Sequence, residues 1–231
     1  MRYRTGVLTM ACGILLTVGI HLAAAAEVAR TGGADSSFAL GARLGTLGVG
    51  GEAAVRAADW LTLRLMGHGV DLSYQDTIRD VDFEVNFGGA NGGVVLDLHA
   101  PGGAFHLSAG LFYNGNTWDV TATPRRPTRI GDLMFEPAQI GTLRGEADVD
   151  PLAVYVGIGF GNPLTGPGRF TVSLDLGVWW FLSEPDVRLT ADGTLASHPL
   201  FQRQLAIERD EIQDRMIQVW PVLSLGLAFR F

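Results

Sequence analysis

Apolar and polar residues alternate almost without fault along the last segment of the chain, residues 216–231. One face carries Ile217, Val219, Leu223, Leu225, Leu227, Phe229 and Phe231, and the other carries Gln218, Ser224, Gly226, Ala228 and Arg230. A two-residue period is typical of a β-strand with one face in apolar surroundings. Because the pattern runs through the final aromatic residue, it predicts a membrane-spanning strand with its large apolar side chains toward lipid.

The same period predicts seven earlier strands, at residues 38–45, 47–57, 61–74, 81–98, 105–114, 153–161 and 169–181. In the third and fourth of these, the apolar set changes phase across residues 67–69 and 88–93, where glycines cluster. Such a change at glycines predicts a β-bulge in each strand, and it indicates that the two strands extend together beyond the membrane.

Eight strands predict an all-β fold, an eight-stranded antiparallel transmembrane β-barrel with both termini in the periplasm. Short connections at residues 58–59, 99–104 and 162–168 then lie on the periplasmic side, and the longer segments 115–150 and 183–215 lie outside the cell. The alternative is a soluble periplasmic β-sandwich, because its strands alternate as well.

Residues 197–215 of the last long loop have the pattern of a short helix. Ser197 is a candidate N-cap and Pro199 falls in the first turn. Phe201, Leu205, Ile212 and Met216 lie near one face. Such a helix could cap the barrel mouth, recruit a partner or pack against the neighbouring loop.

The amino terminus is typical of a Sec-type signal peptide. Arg2 and Arg4 precede an apolar run at residues 6–20, which is followed by small residues up to Ala26. We therefore expect a signal peptide at residues 1–26 and one barrel domain at residues 27–231. The single cysteine, Cys12, would leave with the signal peptide, so thiol chemistry and disulfides are excluded from the mature chain.

Charge and composition narrow the possible partners. The formal net charge is −7, and removing the signal peptide takes away two arginines and no acid. An acidic chain is a poor ligand for nucleic acid. The histidines lack the spacing of metal ligands, so no metal and no cofactor is predicted.

Charged residues also fall on the face that the alternation turns inward. This set comprises Arg43, Glu52, Arg56, Arg64, Asp97, His106, Asp175 and Arg230. The interior of an eight-stranded barrel is only wide enough for side chains to fill, and buried charges need partners. We expect a closed network of salt bridges, with a narrow ion path through the same residues as the alternative.

The pair His106 and Ser108 is the one arrangement that suggests catalysis, since residues two apart on a strand share a face. It resembles the His-x-Ser of outer-membrane lipid A deacylases. Here Leu107 belongs to the outward apolar set, so His106 and Ser108 should face the lumen, away from lipid. We therefore predict no catalytic residues.

Surface features offer other candidate contacts. Arg125, Arg126 and Arg129 concentrate positive charge in a predicted extracellular loop, where lipopolysaccharide phosphates are the nearest anions. The five tryptophans, Trp60, Trp118, Trp179, Trp180 and Trp220, are expected in aromatic girdles at the membrane interfaces.

Taken together, the signal peptide, the evenly spaced amphipathic strands and the closing segment 221–231 resemble the small eight-stranded outer-membrane barrels of Gram-negative bacteria, of the OmpA and OmpW types. The resemblance implies a bacterial outer-membrane location and contact with lipid and lipopolysaccharide. It also implies a monomer, and insertion by the barrel-assembly machinery through Phe229 and Phe231. Barrels of this size differ widely in activity. A structural or surface-interaction role is expected, with a small-solute channel as the alternative and a lipid-modifying hydrolase as a third possibility.

Overall fold

The computed structural model describes residues 37–231 except positions 79, 102, 103, 167 and 217. The elements in this part of the chain are β1 (Phe38–Gly45), β2 (Gly48–Ala58), β3 (Leu61–Ile78), β4 (Val81–His99), β5 (Phe105–Pro124), β6 (Thr128–Ile130), β7 (Leu133–Phe135), α1 (Pro137–Ile140), β8 (Leu143–Asp148), β9 (Leu152–Phe160), β10 (Phe170–Phe181), β11 (Asp186–Ala191), α2 (Pro199–Gln213) and β12 (Val219–Arg230). Within these residues, neither helix has the length and apolar character needed to cross a bilayer. The predicted signal peptide lies outside the described residues.

Eight strands close into a ring in the order β1, β2, β3, β4, β5, β9, β10 and β12, which returns to β1. Every neighbouring pair is antiparallel. These are the eight strands that the alternation predicts, so the eight-stranded antiparallel barrel is confirmed, together with a helix in the last long loop. A closed ring excludes the β-sandwich alternative.

The outer wall of the barrel is an apolar band with aromatic residues near both ends. At the end with the short connections, which we call the turn end, pairs of outward phenylalanines have ring centroids 5.0–5.6 Å apart: Phe38 with Phe231, Phe105 with Phe160, Phe170 with Phe229, and Phe229 with Phe231. Toward the other end, Tyr113 and Trp180 point outward and are more than half exposed. Such a band is the surface that a bilayer covers.

Three of the five tryptophans contradict the girdle prediction. Trp179 is 1% exposed inside the barrel. Trp118 and Trp220 pack against each other and against Phe87, with ring centroids 4.2–6.1 Å apart. The physical reason is parity, because each of these tryptophans belongs to the inward set of its strand. Only residues on the outward set can anchor in lipid headgroups.

Strands β3, β4 and β5 continue beyond the ring, and β8 and β11 add to the free side of β5. We call this five-stranded extension the wing: residues 70–78, 81–88 and 117–124 with β8 and β11. The predicted bulges are wrong, since β3 and β4 pair without a shift from Leu61 opposite Leu98 to Ile78 opposite Val81. The apolar phase inverts because the barrel buries its outward face in lipid, whereas the wing has its apolar side chains on the inward face.

The segments predicted as long loops thus contain strands, and they form a small second core. The hairpin β6–β7 and both helices enclose Ile130, Phe135, Ile140, Phe201 and Leu205. This core packs on Leu189 and Ala191 of β11, on the inner face of the wing. Of the three possibilities for α2, the structure shows packing against the neighbouring loop elements.

The predicted start of α2 is off by one residue. His198 is the N-cap, and its Nδ1 accepts a hydrogen bond from the backbone N–H of Leu200 at 3.3 Å. Ser197 lies before the cap. Ile212, which the helical pattern places near the same face as Phe201 and Leu205, is 37% exposed because the second core ends at Leu205.

Glycine on the inner wall makes room for large side chains, and this gives a test of the packing. A Cβ at Gly93 would lie 2.4 Å from the Phe112 ring, whereas one at Gly51 would have no neighbour closer than 3.4 Å. We expect Gly93→Ala to lower the free energy of unfolding by about 1–3 kcal/mol. Gly51→Ala should change it by less than about 0.5 kcal/mol. Urea unfolding of protein refolded in vesicles measures both, and equal losses would contradict the assigned inward packing.

Candidate functional site

A layer of charged side chains crosses the middle of the barrel. We call it the charge layer: Arg43 of β1, Glu52 of β2, Arg64 of β3, Asp97 of β4, His106 of β5 and Asp175 of β10. Each side chain points inward because its residue belongs to the inward set of a two-residue period. All six residues are at most 5% exposed.

Arg43 joins three other strands. Its Nη1 donates to Glu52 Oε2 at 2.6 Å, and its Nη2 donates to Asp175 Oδ2. The third guanidinium nitrogen, Nε, donates to the Ser224 hydroxyl at 2.9 Å. The guanidinium therefore ties β1 to β2, β10 and β12.

Arg64 makes a second set of bonds, to the two acids that Arg43 contacts and to Asp97. Its Nη2 donates to Asp97 Oδ1 at 2.7 Å and to Asp175 Oδ1 at 2.9 Å. Its Nη1 lies 3.5 Å from Glu52 Oε2. Asp175 therefore accepts from both arginines, which makes it the centre of the layer.

His106 and Ser108 each contact a carboxylate of this layer. His106 Nε2 is 3.1 Å from Asp175 Oδ1, and the Ser108 hydroxyl donates to Asp97 Oδ1 at 2.6 Å. Both residues are at most 3% exposed. They lie on the lumen side of β5, so neither side chain reaches the lipid-facing surface.

The charge layer holds two guanidinium groups and three carboxylates. The carboxylates also accept hydrogen bonds from Ser108 and lie against His106, so each buried acid has at least one close polar neighbour. Buried ions are tolerated where partners replace the lost hydration. Among the described residues, no group of three His, Asp or Glu side chains could hold a metal ion.

The other two predicted members, Arg56 and Arg230, lie closer to the turn end. Arg56 Nη2 donates to the carbonyl of Leu164 at 2.9 Å, and Arg230 Nη2 donates to that of Gly166 at 3.0 Å. Both carbonyls belong to the connection between β9 and β10. The Leu164 side chain is 1% exposed and packs with Ala39, Ala54 and Ala228. This connection therefore closes the turn end of the barrel.

An apolar layer closes the opposite side of the charge layer. It consists of Leu47, Met66, Val95, Phe112, Ala153, Tyr155, Trp179, Phe181 and Val222. Leu47 comes from the two-residue turn between β1 and β2, where Gly48 has φ 101°. The cavity left between the two layers measures about 10 Å³, which is room for about one water molecule.

The sequence analysis missed both closing groups. Phe112 and Trp179 could have been found, because the alternation that turns His106 and Asp175 inward turns them inward too. The alternation puts Leu47 at the start of the second predicted strand, whereas the structure puts it in the turn between β1 and β2. Leu164 lies in a connection, where no period applies. The insertion of both leucines into the barrel depends on loop conformation.

The predicted basic loop makes surface salt bridges with the wing. Arg125 Nε lies 2.7 Å from Asp82 Oδ2, and Arg126 Nε lies 3.2 Å from Asp80 Oδ2. A hydrogen bond from Thr77 and the contact with Arg125 hold the pKa of Asp82 below its usual range. Arg129 is exposed. Two of the three arginines are therefore already neutralised by acids at the tip of the β3–β4 hairpin.

The charge layer predicts a large difference between buried and surface arginines. Arg64→Ala leaves Asp97 and Asp175 with less compensation inside the barrel, so we expect a loss of about 3–5 kcal/mol in unfolding free energy. Arg188→Ala is the matched control, because Arg188 and its partner Asp186 are both more than 60% exposed. The control should lose less than about 1 kcal/mol. Urea unfolding in vesicles measures both, and similar losses would mean that the layer does not hold the barrel together.

Comparison with known proteins supports the fold class. No protein-family model matches the chain, and no curated protein sequence matches it. Among solved structures, CarO of Acinetobacter baumannii is 21% identical, with a TM-score of 0.60, and covers 85% of this chain and 98% of its own. CarO2 of the same organism is 18% identical, with a TM-score of 0.63, and covers 86% of this chain and 100% of its own.

A major outer membrane protein from Thermus thermophilus also matches, at 15% identity with a TM-score of 0.45, and covers 84% of this chain and 98% of its own. The two Acinetobacter structures extend over nearly the whole of the described part of this chain. These two structures support the β-barrel fold. The apolar band on the outer wall is typical of a barrel that a bilayer surrounds.

Proposed function

We propose that this outer-membrane barrel is closed to solutes and acts through its wing, in a structural or surface-interaction role. The observation that carries the proposal is the filled interior. The charge layer lies between the apolar layer and the Leu164 plug, and the space left beside it accommodates about one water molecule.

A small-solute channel is the alternative. A solute would have to displace Trp179 and Phe112 at one end and Leu164 at the other, and all three are at most 2% exposed. It would also have to separate the ion pairs of Asp175. A pathway therefore requires at least two separate rearrangements of well-packed groups.

We further propose that the protein has no lipid hydrolase activity. A hydrolase that acts on a membrane lipid needs its nucleophile and base on the lipid-facing wall. The Ser108 hydroxyl donates to Asp97 and His106 contacts Asp175, so the hydroxyl proton is not directed at His106 as activation of a serine requires.

Contacts with the envelope follow from the outer surface. We propose that the apolar band contacts outer-membrane lipid and lipopolysaccharide, that Phe229 and Phe231 are read by the barrel-assembly machinery, and that the barrel is a monomer. Outward phenylalanines at the turn end support this proposal.

Conductance in planar bilayers tests the closed lumen. We expect the refolded mature chain to give no steady conductance, because the interior lacks a continuous aqueous path. An open porin in the same bilayers shows that the assay detects channels. Resistance to SDS before boiling shows that the silent protein is folded.

Variants identify the pathway if current is observed. Steady conductance that changes in Arg64→Ala and Asp175→Ala, and stays the same in the wing variant Arg188→Ala, would replace the closed barrel with the channel. Conductance that none of the three variants changes would also contradict the proposal, and would place the path outside the charge layer.

A further inference from the structure

The wing has one apolar face and one polar face. Its inward face carries apolar side chains from all five strands, which pair in register, among them Leu72 of β3, Phe83 of β4, Val120 of β5, Leu143 of β8 and Leu189 of β11. Its outward face carries acids, threonines and other polar residues, among them Asp71, Ser73 and Gln75 of β3. A sheet with this distribution normally packs its apolar face against another element.

Only the β8–β11 side of this face is covered by the helices and the β6–β7 hairpin. On the β3 side, Leu72 is 56% exposed, Tyr74 is 45% exposed and Ile78 is 51% exposed. These residues follow one another along the strand at the edge of the wing. They form an apolar row that the described residues leave open to solvent.

The backbone of the same strand also lacks a partner on one side. In the barrel, β2 pairs with β3, and this pairing ends with Val49 opposite Gly69. Above that point β3 continues for residues 70–78 with β4 on one side only. No other described strand pairs with this edge.

The positions of neighbouring glycines show which backbone groups face the open edge. A Cβ at Gly48 would lie 2.1 Å from the Gly69 carbonyl, so that carbonyl points toward β2, whereas the Val70 carbonyl is 3.6 Å from a Cβ placed on Gly88 of β4. Because successive residues of a strand point their N–H and C=O groups to alternate sides, odd-numbered residues of β3 face the open edge. These are Asp71, Ser73, Gln75 and Thr77.

The edge has few of the features that normally block strand addition. Natural edges are protected by proline, by bulges, by short length or by inward-pointing charge. Here nine residues run without proline or a shift in register, and Asp76 is the inward-pointing charge. Its carboxylate accepts from the Tyr74 hydroxyl at 3.0 Å and from the Thr77 N–H at 2.8 Å. The N–H groups of the other three edge residues, Asp71, Ser73 and Gln75, remain directed toward the open edge.

We propose that residues 70–78 bind an extended segment of another polypeptide, which adds to the wing as a further strand. This inference rests on the proposed surface-interaction role and names its partner. A row of alternating N–H and C=O groups is satisfied along its length by another extended backbone. Apolar side chains at alternate partner positions would cover Leu72, Tyr74 and Ile78, and a basic residue among them would face Asp76.

A second copy of the chain in the same membrane fits this edge poorly. Two such copies are related by an axis along the membrane normal, so their β3 edges would run in the same direction. That axis also turns the apolar face of one wing to the side of the polar face of the other. The two apolar rows could not form one continuous surface, which favours a separate polypeptide.

Binding of a designed peptide tests the proposal. The probe is a fluorescent nine-residue peptide of alternating valine and threonine with one valine replaced by arginine. Its anisotropy is measured with the mature protein in nanodiscs, against empty nanodiscs. We expect saturable binding, which a peptide of the same composition in non-alternating order should not show. Equal binding of the two peptides would overturn the proposal.

Substitutions at Ser73 separate the backbone edge from the side chains. Ser73→Pro removes an N–H that faces the open edge and leaves the β3–β4 ladder intact. It should raise Kd at least tenfold. Ser73→Ala is the matched control, because it keeps the amide, and it should stay within twofold of the wild type. Unchanged affinity in Ser73→Pro would overturn the proposal.

A second measurement does not depend on the variant's folding. Peptides N-methylated at alternate residues in the two possible frames should differ in affinity for the wild-type protein by at least tenfold, because only one frame blocks the edge. Equal affinity would overturn strand addition. Self-association of the protein that Ser73→Pro abolishes, while the peptide fails to bind, would overturn the choice of partner, because it would assign the edge to a second copy. If the protein conducts no current and binds no peptide, the proposal of a closed barrel stands and the proposal of a peptide partner is wrong.

Discussion

The two arginine–carboxylate contacts of Asp175 determine what the inside of this barrel can be. Arg43 and Arg64 both donate to this one side chain, and through Glu52 and Asp97 they connect five strands of the ring. In a ring of eight strands the wall is close to the axis, so these groups meet at hydrogen-bond distance. The charges are tolerated there because each has several partners, and the space beside them has room for about one water molecule.

The groups on either side of the charge layer follow from this arrangement. Apolar side chains at the wing end and Leu164 at the turn end keep water away from the ion pairs, and the lower local dielectric strengthens the attraction between them. Glycines on the inner wall, such as Gly93 beside Phe112, make space for the large rings. The interior is thus a packed core with a polar centre, and the surface that remains for interaction lies outside the ring.

Strands that continue from the barrel into the wing lie in two different surroundings, lipid and water. Strands β3 and β4 pass from the barrel into the wing without a shift in register. Along the barrel their outward side chains are apolar, because lipid surrounds them. Above it the outward side chains are polar and the apolar ones lie on the inward face, which the helices and the β6–β7 hairpin cover on its β8–β11 side. The apolar side chains change face where the lipid ends, although the backbone pairing is unbroken. In the sequence, this change of phase looks the same as the one that a β-bulge produces.

Alternation in the sequence was sufficient to predict the eight barrel strands, the side chains of the charge layer that face inward and the helix near the last strand. These features depend on a two-residue or helical period, which is a local property of the chain. Tertiary structure alone decided that Leu47 and Leu164 enter the lumen, that β8 and β11 extend β5, and that Asp175 lies between two arginines. Each depends on contacts between residues far apart in sequence and on the height at which the sheet leaves the membrane. A local period contains neither piece of information.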